Sequence, residues 1–323
     1  MIIKCYENIP LNGKFNCFDV IPRFESIIWT KRFYDVGSFE LKLQKNPLKN
    51  GDIILHGQHS GIVCKISEDL NGSMVYGYDL CGLLKYRYIF EKKEYSGSAE
   101  KIVKDVATDF LKTGVRNIEG LTIEPVTATT GTLAESAEKI IAADFVKNVC
   151  INNKIGYDVV FTETNMFFKT IASADRTKEI VFSLPRHNIE SLEYENDAMD
   201  AANVMYYAEK DETTGTSTQK SYFDGTEPTG ILRKEAGTTS EDYVSALKEK
   251  VISETLTGSA NEKMIYGIDY QLGDIVTVVF KNLITEKQIT EIKFVYEKAG
   301  DKVVPTFGVV KDSVIKRILK SGA

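Results

Sequence analysis

Glu25-Ser26-Ile27-Ile28-Trp29, Phe39-Glu40-Leu41-Lys42-Leu43, Gly51-Asp52-Ile53-Ile54 and Gly61-Ile62-Val63-Cys64-Lys65-Ile66 follow one another between residues 25 and 66. A fainter version returns in the same order as Glu190-Ser191-Leu192-Glu193-Tyr194, Asn203-Val204-Met205-Tyr206-Tyr207, Gly273-Asp274-Ile275-Val276 and Ile289-Thr290-Glu291-Ile292-Lys293-Phe294. Ile21-Pro22-Arg23 precedes the first set and Leu184-Pro185-Arg186 the second. Each set then runs into a polar turn and a further strand. These are Glu68 to Gly72 with Val75-Tyr76-Gly77, and Glu297 to Asp301 with Val304 to Gly308. A Gly-Asp before a strand is common turn chemistry, so the order carries the reading rather than any one match. Alternating apolar residues such as Phe39, Leu41 and Leu43 mark half-buried strands. The sequence therefore predicts two related antiparallel β-barrels.

At 323 residues the chain exceeds what one core usually holds, so several domains are expected. The expected class is mainly β with α+β insertions. Its divisions are a first tube-like barrel over 1–92, a small α+β domain over 93–178, a second barrel over 179–208 and 260–323, and an insertion over 209–259. In the α+β domain, Ala99, Ile102, Val103, Val106, Phe110 and Leu111 recur at helical spacing. A second helix is expected from Thr132, where Glu135 completes a capping box, and a hairpin joins Tyr157–Phe161 to Met166–Thr170. The insertion opens on the polar stretch from Glu209 to Thr218, continues into a strand at Ser221-Tyr222-Phe223, and carries an expected helix from Ser240 to Thr255.

A net charge of -6, from 40 basic and 46 acidic residues, argues against a surface built to grip phosphate backbones. The basic run Lys316-Arg317-Ile318-Leu319-Lys320 reads as a solvated end. Five cysteines, Cys5, Cys17, Cys64, Cys81 and Cys150, show no Cys-x-x-Cys spacing, which favours reduced, mostly buried thiols. No signal-peptide pattern and no run of 18 apolar residues occurs, so neither the ordinary secretory route nor membrane insertion is expected.

Reactive constellations are scarce. His56-Gly57-Gln58-His59 has the only metal-like spacing, and its expected place is a hairpin tip with two surface histidines. The phosphate-loop, dinucleotide, nucleophile-elbow and zincin patterns are missing. Acidic pairs such as Glu193/Glu195 and Asp197/Asp200 fit chance among 46 acids better than glycosidase carboxylates. Cys64 and Cys81 read as core thiols, and Trp29, Phe33, Tyr34 and Phe39 as core or interface aromatics rather than a sugar platform. No catalytic, cofactor or metal residue is assigned.

The segment from Trp29 to Leu43, with its Gly37-Ser38-Phe39-Glu40-Leu41 strand, followed by Gly51-Asp52-Ile53-Ile54 and Gly61-Ile62-Val63, resembles the opening of tail hub proteins of Gram-positive phages. Asn203-Val204, Leu272 to Val276 and Thr306-Phe307-Gly308 are similar to the second half of the baseplate hub family, which includes PBSX-like prophages and phage-tail-like bacteriocins. The resemblance implies a homotrimer in the virion tail, whose six barrels form a pseudo-sixfold ring. It also implies tail tube protein, central spike, other baseplate proteins and the tape-measure protein as partners. The strands bearing Trp29, Phe39, Leu41, Ile53, Val276, Val278 and Phe280 are then the tube and interface strands, with Phe39–Leu43 and Ile275–Phe280 expected at matching places. The competing readings are a carbohydrate- or receptor-binding module and a cell-wall glycosidase or peptidase.

Overall fold

The computed structural model describes residues 2–10, 13–127, 131–210, 216–239, 243–248, 250–261 and 263–308. The basic run at Lys316–Lys320, the centre of the threonine-rich stretch, the middle of the polar stretch after Lys210 and the expected helix start at Ser240 lie outside the described residues. The chain divides into two compact units, residues 1–192 with 257–307, and residues 193–256 with 308–323.

The first unit begins with β1 (Ile3–Tyr6), β2 (Cys17–Ile21), β3 (Ser26–Arg32), β4 (Ser38–Leu43), β5 (Ile53–His56), β6 (His59–Asp69) and β7 (Gly72–Asp79). The alternation in β4 is physical: Phe39, Leu41 and Leu43 are buried while Glu40 and Lys42 face outward. After a 3₁₀ turn at Leu80–Tyr86 come β8 (Tyr88–Ile89), β9 (Lys93–Gly97), α1 (Ala99–Leu111), β10 (Leu121–Ile123), β11 (Leu133–Ala137), β12 (Ile140–Ile141), α2 (Ala142–Asn153), β13 (Ile155–Phe161), β14 (Met166–Ala172) and β15 (Val181–Ser183). The Ser98 side chain caps α1 by accepting from the Lys101 amide at 3.2 Å. Phe110 and Leu111 of α1, Val146 and Cys150 of α2 and Tyr6 of β1 belong to one hydrophobic core, so the helices share a core with the first strands.

The expected helix start at Thr132 is corrected. Residues 133–137 alternate and pair antiparallel with β9, Leu133 opposite Gly97 and Ala137 opposite Lys93. A capping-box spacing there coincides with a strand, and α2 begins only at Ala142. The expected hairpin is present, with Phe161 opposite Met166.

The second unit holds β16 (Glu193–Asp197), β17 (Val204–Lys210), β18 (Ser217–Tyr222), β19 (Glu235–Gly237), α3 (Tyr243–Lys248) and β20 (Ser253–Thr257). β16 pairs with β20, and β17 lies between β18 and β19 in a separate sheet. The helix expected to reach Thr255 ends at Lys248, and strand β20 follows. Tyr243 of α3 stacks on Tyr207 with ring centroids 3.8 Å apart.

Three further strands complete the first unit: β21 (Ile275–Phe280), β22 (Leu283–Glu297) and β23 (Lys302–Gly308). Its strand order is β23-β22-β3-β4-β7-β6-β5-β1-β2, with β21 also on β22 and β15 parallel to β21. The chain is thus mainly β, as expected, and its two related sets of strands meet edge to edge at β3 and β22.

Candidate functional site

The duplication is visible bond by bond. Gly51 N–H donates to Val63 C=O and Val63 N–H to Asp52 C=O, both at 2.8 Å. Gly273 N–H donates to Ile289 C=O and Ile289 N–H to Asp274 C=O, again both at 2.8 Å. In each copy the aspartate amide donates back three residues, Asp52 to Lys49 C=O and Asp274 to Gln271 C=O. The aspartate carboxylate closes the turn, accepting from Lys49 N–H at 2.7 Å and from Gln271 N–H at 2.8 Å. Gly51 and Gly273 stand at φ of +95° and +99°, a left-handed conformation that costs glycine little.

The equivalence continues through a bulge. The β6/β7 register slips between Val63 and Lys65, and the β22/β23 register between Ile289 and Glu291. Cys64 and Thr290 therefore hold the same bulged place. Glu25 N–H donates to Lys42 C=O, and Glu190 N–H to Ser259 C=O. Leu41 and Leu43 face Val75 and Ser73, while Gly258 and Ala260 donate to Pro305 and Val303.

Three details of the expected echo are corrected. Lys65 corresponds to Glu291, so Gly61 matches Lys287 rather than Ile289. The place of Leu41–Leu43 is taken by residues 258–260, not by 203–207, which lie in the β17 sheet. Ile275–Phe280 is the counterpart of β5, not of Phe39–Leu43.

The two copies meet where β3 and β22 pair antiparallel, from Arg32 opposite Glu291 to Ser26 opposite Glu297. Arg32 Nε donates to Glu291 Oε2 at 2.8 Å, and Glu291 is only 3% exposed. Trp29 lies opposite Phe294 and packs against Phe39 with centroids 4.9 Å apart. Of the expected tube-strand residues, Trp29, Phe39, Leu41, Ile53, Val276 and Val278 are buried and Phe280 is half-buried. Their side chains hold the strands together from within; in β4 the alternate residues Glu40 and Lys42 face outward, whereas all four residues of β5 are buried.

The histidines are a second correction. His56 pairs with His59 across the expected hairpin tip, yet both are buried, at 0% and 3% exposure. Tyr296 and Phe294 of β22 cover them: His56 lies 4.7 Å from the Tyr296 ring, and His59 Nε2 is 3.2 Å from the Tyr296 hydroxyl. Burial pulls His56 down to about 4 and His59 down to about 3, so both rings are neutral near pH 7.

Lys31 of β3 lies 2.7 Å from Asp158 and 3.8 Å from Asp79. Burial pushes Asp79 up to about 6, although Lys31 pulls the other way. At Asp158 burial also raises the carboxyl, but Lys31, with Lys169 and the Val159 amide, together outweigh it and the net shift is downward. Asp79, Cys81 and Asp158 are close enough to share an ion, but the Lys31 ammonium already occupies the cationic role there. Cys81 is buried as expected, and Cys64 is half-buried. Trp29, Phe33 and Phe39 lie inside the core, so they offer no stacking platform.

Residues 11–219 and 243–309 match the family described as Siphovirus ReqiPepy6 Gp37-like protein. The chain belongs to this family. Its fold is similar to that of prophage tail protein gp18 from Listeria monocytogenes EGD-e, at 12% identity and TM-score 0.55, over 99% of this chain and 98% of that one. It is also similar to the 43 kDa tail protein of prophage MuSo2 from Shewanella oneidensis, at 12% identity and TM-score 0.55, over 95% and 98%. A chain of the p2 virion baseplate in its activated conformation matches at 11% identity and TM-score 0.53, over 96% of this chain and 100% of that one. No curated protein matches in sequence. Family membership and fold thus set the chain beside phage and prophage tail and baseplate proteins in architecture. Among the described residues no helix is long and apolar enough to cross a membrane.

In this fold the informative groups are backbone edges. The seam pair Arg32–Glu291 was not singled out from sequence, because its partners lie 259 residues apart.

Proposed function

We propose that this tail protein is a baseplate hub: a homotrimer whose six related β-units form a pseudo-sixfold ring between the hexameric tail tube and a threefold central spike. The observation that carries this reading is the repeated Gly-Asp turn and bulge, with the same backbone bonds in both copies. A chain that presents two like units gives three chains six like positions, which is what a threefold body needs to mate with a sixfold tube. The strands bearing Trp29, Phe39, Leu41, Ile53, Val276, Val278 and Phe280 form the walls of the ring. Tail tube protein, spike and other baseplate proteins are its partners, and the tape-measure protein passes through it. The role is structural, in the virion tail, with no cofactor and no specific nucleic-acid contact.

Light scattering of the purified protein, alone and mixed with the tail tube protein, tests this directly. A mass of three chains in either condition is expected. A monomer in both, with binding on a glycan screen, would replace the hub by a receptor-binding module.

A further inference from the structure

The duplicated register has a consequence for two strand edges. In β22 the edge from Glu291 to Glu297 is covered by β3 of the same chain. Its counterpart in β6, beginning at Lys65, carries no strand among the described residues: β5 pairs only with residues 59–62, and β7 occupies the opposite edge. At the bulge the covered Glu291 is buried while its counterpart Lys65 is exposed, and Ser67, Glu68 and Asp69 beyond it are exposed as well. Leu70, beside this edge, is a large apolar side chain standing fully in solvent, at 105%.

The strand that would cover such an edge is the second copy's counterpart of β3. The matching bonds from Glu25 and Glu190 place that counterpart at residues 191–197, which contain β16. β16 pairs with β20 and ends its strand order. We propose that β16 of one subunit adds as an antiparallel strand to the exposed edge of β6 in the next, in the register that sets Asp197 opposite Lys65. This inference rests on the ring reading and names the contact that closes the ring.

The register is copied from β3 and β22. Where Arg32 meets Glu291, Asp197 meets Lys65, which is the same ion pair with its charges exchanged. Glu195 then faces Ser67, and Leu192 comes against Leu70, withdrawing that side chain from water. Glu193 falls opposite Asp69, a like-charged pair that weakens one end. An exposed edge with unsatisfied backbone groups is a template for another chain, and a strand of the same protein in a fixed register satisfies it without aggregation.

The test uses the full chain and two kinds of variant. Ser67→Cys with Glu195→Cys places thiols on directly opposed residues, whose Cα separation in an antiparallel ladder suits a disulfide. Under mild oxidation with oxidised glutathione the double variant should give covalent dimers and trimers, with peptide mapping assigning the bridge to the two substituted positions, and each single variant should not. Separately, Lys65→Glu should weaken assembly about tenfold, and Lys65→Glu with Asp197→Lys should recover most of that loss. A wild-type trimer whose double-cysteine variant stays trimeric but forms no such cross-link overturns this edge and leaves the ring reading standing. A wild type that is monomeric alone and with the tube protein overturns both.

Discussion

The edges of β22 and β6 are the same piece of structure built twice, with the same turn behind it and the same bulge ahead of it, yet among the described residues only one is covered within the chain. Where β3 lies on β22, a carboxylate is buried and paired; on β6, where no described strand covers the edge, its counterpart is an exposed lysine. At the bulge the cover on the edge therefore goes with burial, Glu291 being buried and Lys65 exposed, while Lys293 and Glu297 stay exposed on the covered strand. Lys65 and Asp69 keep the open edge soluble until a specific strand arrives.

The largest expected effect separates the two glycines of the repeated turn. A Cβ at Gly273 would lie 2.2 Å from Phe33 Cε2, in the packed seam, whereas at Gly51 it meets only the Asn8 side chain amide at 2.5 Å. Both sites share the left-handed penalty, so the difference isolates packing. Gly273→Ala should cost about 3 kcal/mol or more and Gly51→Ala about 1–2 kcal/mol, read from urea unfolding midpoints. Equal losses would mean the copies are not packed differently.

Acid should next divide the copies. Structural equivalence puts Val278 and Thr285 where the first copy has His56 and His59. These histidines have folded pKa values depressed to about 4 and about 3, below the ordinary value of about 6.5. Below about pH 6.5 the unfolded chain takes up protons that the folded chain refuses, so stability falls with falling pH down to the folded values. The slope is at most about 1.4 kcal/mol per pH unit for each ring. Asp79, raised to about 6, works in the opposite sense: the folded chain binds its proton first, which adds stability as pH falls from about 6 toward 4. His56→Leu should flatten the net acid slope between pH 6.5 and 4, measured by thermal unfolding across that range. An unchanged slope would show that the ring does not titrate between the two states.

The smallest effect concerns the charged pair itself. In the isolated chain Glu291→Ala should cost about 1–2 kcal/mol, because it leaves Arg32 without its buried partner, while Lys65→Ala should change stability by less than about 0.5 kcal/mol. A substantial loss at Lys65 would mean that its edge is already covered within one chain.

Much of this was legible in sequence. Gly51-Asp52 and Gly273-Asp274 marked the repeat correctly because a left-handed glycine and a carboxylate closing the turn leave a local signature. Register was lost because the β21/β22 hairpin is longer than its counterpart. Eight residues separate Ile53 from its partner Ile62, and twelve separate Ile275 from Gln288. The counterpart of β4 was missed because Glu25 and Lys42 lie 17 positions apart whereas Glu190 and Ser259 lie 69 apart, and Gly258-Ser259-Ala260 carries no apolar alternation. The burial of His56 and His59 depends on Phe294 and Tyr296, more than 230 residues away, and no local pattern reports a cover at that distance.

The central claim is that three chains supply six equivalent β-units around one axis. Native mass spectrometry of the assembled protein, read together with the rotational symmetry of its end-on views in electron micrographs, tests it most directly. The account predicts a mass of three times the 36.2 kDa chain with six-lobed views. Six chains in a six-lobed ring, or three chains in a three-lobed one, would contradict it.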